Sequence, residues 1–141
     1  MKKLLIIALL FGGCENSTEP EVHPLVGVWL AIEGTQTSSD GTVLDTIEFD
    51  ETISMTHVFS EDGMLSSNFV SPDDGSESTT AIWSAAGNKL TIITQNPTQN
   101  PDNAGETTIF DYSISGTMLT LEWTESIDSD MNKIEVKFQK Q

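Results

Sequence analysis

His57 sits in the string Ile53-Ser54-Met55-Thr56-His57-Val58-Phe59, where an imidazole shares one face with apolar side chains at a spacing of two. An imidazole so placed can act as a general base, as a metal ligand or as the polar anchor of an apolar pocket. Base catalysis needs a nucleophile and an orienting acid in contact with the ring. Serines abound, but no Gly-x-Ser-x-Gly elbow presents one. The residues therefore point to a protein that is not an enzyme, and His57 reads as a core histidine with a hydrogen bond. Carboxylates gather at Asp73, Asp74 and Glu77 and again at Asp128 and Asp130. Neither segment matches the Asp-x-Asp-x-Asp-Gly loop that surrounds calcium with oxygens, so both read as solvated turns. Zinc is disfavoured by a supply of two histidines and one cysteine. No glycine-rich loop or cluster of cations is present to hold a phosphate. No metal and no cofactor are expected.

The one cysteine carries a different chemistry. Lys2 and Lys3 precede an unbroken apolar run from Leu4 to Phe11, followed by Gly12, Gly13 and Cys14. A basic start, a short apolar stretch and small residues make an export signal, not a structural helix. The run is far shorter than the roughly 20 residues that span a bilayer. The stretch resembles a bacterial lipoprotein signal, with Phe11 bulkier than the usual leucine-like residue. That resemblance implies a signal peptide over 1–13, cleavage before Cys14 and fatty acyl chains such as palmitate on Cys14. It implies a place in the bacterial cell envelope, lipid-anchored at the outer membrane or the periplasmic face. Residues 14–24, polar and carrying Pro20 and Pro24, read as the lipidated tether, with His23 an exposed linker residue.

Removal of 1–13 takes away Lys2 and Lys3 and leaves four lysines, no arginine and 22 acidic residues, a net charge of −18. Such a surface repels phosphate backbones, which excludes nucleic acid as a partner. It also repels anionic membranes, so attachment must come from acyl chains rather than from the protein face. With a single cysteine there is no intrachain disulfide. The remaining segment, 25–141, is one domain that must hold itself together by packing.

That domain reads as strands throughout. Short segments rich in Thr, Val, Ile, Phe and Trp recur about every ten residues, punctuated by turn pairs such as Asp40-Gly41 and Gly87-Asn88. Leu25–Ile32 is apolar on both parities, which suits a strand covered on both sides or one closing a barrel end. Asp50-Glu51 separates the strand of Val43, Ile47 and Phe49 from that of Met55, His57 and Phe59. Gln95–Gly105 is the longest loop. The last strands alternate cleanly: Phe110, Tyr112, Ile114; then Leu119, Leu121, Trp123; then Ile134, Val136, Phe138. Alternation means one dry and one wet face. Nine segments joined mostly by tight turns predict an all-β, antiparallel up-and-down β-barrel of about eight strands, with neighbours paired and the last strand closing on the first.

The order of several short motifs resembles the lipocalins, and within them the lipocalin-like domains of small bacterial lipoproteins. Gly27-Val28-Trp29 matches the Gly-x-Trp signature of the first strand. Phe59-Ser60-Glu61-Asp62-Gly63 matches a Phe-x-x-Asp-Gly element. Gly87-Asn88-Lys89-Leu90-Thr91 and Gly116-Thr117-Met118-Leu119-Thr120 match paired Gly-x-x-Leu-Thr hairpins. The resemblance implies that Gly27 and Trp29 form the barrel-closing element, with Trp29 packed against a late basic residue. Arginine is absent, which leaves Lys137 or Lys133 for that place.

A barrel of this size holds either its own side chains or one small ligand. The inward set comprises Met55, His57 and Phe59 on one strand, Phe69 and Trp83 on the next two, and Phe110, Tyr112, Leu121 and Trp123 late in the chain. Small or polar members on the same faces, Ser67, Ala81 and Asp45, hint at unfilled space. These residues point to a small hydrophobic ligand bound inside, with His57, Tyr112 and Asp45 as polar anchors. The alternative is a filled core and an envelope protein-interaction module without a small-molecule ligand.

Overall fold

The computed structural model describes residues 21–97 and 105–141. Cys14, the signal segment and most of the tether lie outside the described residues, as does most of the Gln95–Gly105 loop. Nine strands follow in order: β1 Gly27–Thr37, β2 Val43–Glu48, β3 Ser54–Phe59, β4 Met64–Ser71, β5 Gly75–Ala86, β6 Lys89–Pro97, β7 Thr107–Ser115, β8 Met118–Ile127 and β9 Asp130–Lys140. All pairings are antiparallel, and β1 pairs with β9 to close the sheet.

Nine strands make an eight-stranded barrel because β2 and β3 share one edge of β1. Glu33 pairs with Glu48 of β2, and Leu30 pairs with Thr56 of β3. The Phe49 amide still donates to the Ile32 carbonyl at 3.2 Å, after which the chain loops out before rejoining β1. Asp50 builds that loop. One of its carboxylate oxygens accepts the Thr52 amide at 2.7 Å, the Thr52 hydroxyl at 2.7 Å and the Ile53 amide at 3.1 Å. These bonds favour the ionised form and hold Asp50 below the usual carboxylate range. The division expected at Asp50-Glu51 is thus an interruption of one strand position in the barrel.

The hairpins place two sets of connections at opposite ends. One end carries the turns after β3, β5 and β7 together with the entry of the chain at residues 23–26. Alternation drives every other side chain inward, where Leu25, Trp29, Phe59, Leu90, Leu119 and Phe138 are at most 1% exposed. Burying a side chain of this size stabilises the fold by about 1.5–3 kcal/mol. The buried apolar residues, from Leu25 to Phe138, form a single cluster. The segment from residue 21 onward therefore carries this core within itself. The outward side chains of β1 are not covered: Val28 and Ile32 are both 37% exposed, so the doubly apolar pattern reflects closure of a barrel end and not burial on both faces.

Candidate functional site

One end of the barrel is sealed around Trp29. Its indole Nε1 donates to the Leu25 carbonyl at 2.7 Å, and the Lys140 ammonium stands 5.2 Å from the ring centroid. A cation over an indole face is attracted by the ring quadrupole. Lys140 thus takes the basic position, in place of Lys137 or Lys133. Those two lysines point outward and meet Glu33 at 3.2 Å and Glu122 at 3.7 Å respectively. Parity already separates them, because Lys140 shares the inward phase of Val136 and Phe138. Gly27 leaves room for the lysine: a Cβ there would lie 2.8 Å from Lys140 Cε.

His23 belongs to this sealed end and not to an exposed linker. Its Nδ1 accepts the Leu25 amide at 3.1 Å, and its ring lies 5.5 Å from Trp83 and 6.4 Å from Tyr112. Trp83 donates through Nε1 to the Ser60 carbonyl at 3.1 Å and meets Phe59 edge-on at 5.4 Å. Three of the expected ligand residues, Phe59, Trp83 and Tyr112, are therefore parts of the seal.

The other half of the interior is open. A cavity of about 260 Å³ is lined by Met55, His57, Thr108, Phe110, Leu121, Trp123, Glu125, Val136 and Phe138. Five of the ten expected ligand residues meet here: Met55, His57, Phe110, Leu121 and Trp123. Phe69 is the register partner of Met55 but is not part of the wall. Asp45 stands on exposed β2 and borders a separate depression of about 150 Å³ with Gly34, Gln36 and Ile134. It is not an anchor of the main cavity, because β2 pairs only with the Glu33–Thr37 half of β1 and forms the edge of the sheet. Val136 borders both spaces. Thr108, Glu125, Val136 and Phe138 were not among the expected ligand residues. Thr108 and Glu125 continue the two-residue phase of Phe110 and Trp123, and Val136 and Phe138 belong to the alternating inward set of β9, which is the signal that finds them.

Aromatic rings set the walls. Phe110 and Trp123 meet edge to face at 5.2 Å, and His57 stacks on Phe138 at 4.9 Å with planes 28° apart. The Trp123 Nε1 donates to Glu125 Oε1 at 2.8 Å near the rim. The hydrogen bond expected for a core histidine is not made at His57 Nδ1, which is buried and has no partner among the described residues. An unpaired buried polar atom costs about 1–3 kcal/mol. Burial lowers the His57 pKa to about 4, outweighing the Thr56 carbonyl, which pulls the other way. The ring is therefore neutral at neutral pH. A second buried acceptor without a partner, Asn132 Oδ1, lies on β9 opposite Glu125. Among the described residues no cluster of three or more His, Cys, Asp or Glu side chains is placed to hold a metal ion. What the arrangement can do is enclose a mainly apolar molecule against a few polar groups, His57, Thr108 and Glu125.

No protein-family model and no curated protein matches the sequence. Solved structures do match in shape. A lipocalin-like protein from Bacteroides uniformis superposes with a TM-score of 0.55 at 20% identity, over 83% of this chain and 98% of that one. An uncharacterized protein from Bacteroides eggerthii superposes with a TM-score of 0.51 at 12% identity, over 82% and 98%. The likeness, the closed antiparallel barrel and the Trp29 seal converge on one architecture: this chain has the lipocalin-like β-barrel fold.

Proposed function

We propose that this chain is a lipid-anchored lipoprotein of the bacterial envelope whose barrel binds a small hydrophobic ligand, without catalysis. The observation that carries the binding role is the 260 Å³ space among Met55, Phe110, Leu121, Trp123 and Phe138. Close-packed interiors leave few voids larger than a water molecule. A space of this size, apolar and open at one end, favours a ligand over a filled core. The anchor is supported by the Lys2–Cys14 pattern, with acyl chains on Cys14 and residues 1–13 removed. Two or more chains give stable attachment where one is marginal.

The test is a thermal-shift and native mass spectrometry screen of residues 15–141 against a panel of lipids and small aromatic compounds. At least one member should raise the unfolding temperature and appear as a one-to-one complex. A panel with no binder would favour the filled core. Mass spectrometry of the membrane fraction should find Cys14 acylated; an unmodified thiol there removes the anchor.

The second reading, a protein-interaction module, draws on β2. All six of its residues are exposed, including Val43, Leu44 and Ile47, and its outer edge pairs with no other strand among the described residues. Pull-down from cross-linked envelopes, compared with a Leu44→Lys variant, separates this reading from the first.

A further inference from the structure

The ligand-binding reading leaves open what chemical class the cavity takes, and His57 narrows it. The walls are aromatic on several sides: Phe110 and Trp123 cross edge to face, and His57 stacks on Phe138. A planar, polarisable molecule fits between such surfaces better than a coiled alkyl chain. An apolar cavity of roughly 150 Å³ suffices for one benzene ring. The 260 Å³ here has room for one or two fused rings.

Three polar side chains line the wall, His57, Thr108 and Glu125, and of these only His57 is an aromatic ring stacked into it. His57 is half-buried and lines the cavity. Its Nδ1, closed to water as the ring is placed, has no partner among the described residues. Trp123 Nε1, the other ring N–H in the wall, is already engaged by Glu125. A neutral imidazole has one donor nitrogen and one acceptor nitrogen, and a half-turn of the ring exchanges its edges without changing its shape. A hydroxyl both donates and accepts, so it complements whichever nitrogen faces it. A carboxylate does not fit. Among the described residues Glu125 is the only charged residue of the wall, and no lysine lines it. An anion brought here would lose its water and face a like charge.

Resting on the ligand-binding reading, we infer that the cavity selects a neutral planar aromatic molecule bearing a hydroxyl group, which His57 holds by a hydrogen bond.

The experiment uses three probes of nearly equal shape, 2-naphthol, naphthalene and 2-naphthoate, titrated into residues 15–141 by native mass spectrometry and ligand-displacement fluorescence. The naphthol should bind at least tenfold more tightly than naphthalene, and the naphthoate more weakly than both. In ¹⁵N spectra the His57 ring nitrogens should shift with naphthol and stay in place with naphthalene; His23→Gln assigns the signals. In His57→Phe the preference for naphthol over naphthalene should vanish while naphthalene still binds. The comparison on the unaltered chain stands even where that variant unfolds. Equal affinity for naphthol and naphthalene, or tightest binding of the naphthoate, overturns the inference while leaving a ligand-binding barrel intact. Failure of every compound in the wider panel as well as these probes overturns both.

Discussion

His57 lies nearly parallel to Phe138, ring centroids 4.9 Å apart, and this stacking pins an imidazole where water does not reach its Nδ1. Its ordinary pKa of 6.5 falls to about 4 in the folded chain. The unfolded chain therefore takes up a proton at a pH where the folded chain refuses it. Stability is unaffected by this group above pH 6.5, falls as the pH drops from 6.5 to 4, and loses on the order of 3 kcal/mol in all. Urea unfolding across this window should show the slope in the natural chain and lose it in His57→Phe. Asp40 acts in a separate window. The Ser38 hydroxyl and the Thr42 amide lower its pKa from 3.8 to about 2, so its contribution is lost only between those values.

The sealed end yields a double-mutant cycle. Trp29→Ala should cost about 3–5 kcal/mol, as expected for a fully buried indole. Lys140→Ala should cost about 0.5–1 kcal/mol through the lost cation–π contact. Gly27→Ala should destabilise by more than about 1 kcal/mol, because the new Cβ meets Lys140 Cε at 2.8 Å and the backbone sits at φ +140°. In the Lys140→Ala background the same change should cost measurably less, leaving only the backbone term. Equal costs in both backgrounds, read from chemical denaturation, would mean that the lysine does not occupy this position.

Gly34 tests the junction of β1 and β2. A Cβ there would lie 2.9 Å from Ile47 Cγ2 and 3.6 Å from Phe49 Cε2. Gly34→Ala should destabilise by about 1–3 kcal/mol through overpacking. Ile47→Ala should relieve part of that cost in the double variant, and hydrogen exchange should locate the disturbance in Val43–Phe49.

The β8–β9 hairpin turns at Asp128 and Ser129, which have φ of 52° and 73° without being glycine. Left-handed backbone costs such residues about 1–2 kcal/mol each. Replacing the pair by Asn-Gly, the preferred sequence for a two-residue hairpin turn, should raise stability by roughly 1 kcal/mol. A calorimetric scan showing no gain would mean that this turn has another geometry in solution.

The barrel was legible because alternation is a local property. Leu119, Leu121 and Trp123, or Ile134, Val136 and Phe138, declare their inward face without knowledge of any partner strand. Which end of the interior each residue serves is not local. Phe59 and His57 share a face yet fall into the seal and the cavity respectively, because position along the strand is set by register with β1 and β4. Tyr112 and Phe110 divide in the same way. Asp45 has the inward phase of Ile47, but the loop built by Asp50 leaves β2 paired with β1 alone among the described residues. Lys140 could have been found by phase alone. His23 could not, since its partners Trp83 and Tyr112 lie far away in sequence.

The pairing of Trp29 with Lys140 joins residues near opposite ends of the chain, and Lys137 reaches back to Glu33 across 104 positions. The barrel is thus zipped by its last strand. Until the residues of β9 have left the ribosome, the first strand has one edge with no mate. Closure of so long a loop is slow relative to the local hairpins. Before closure the sheet has open edges, and the high negative charge of the chain sets one such sheet against another.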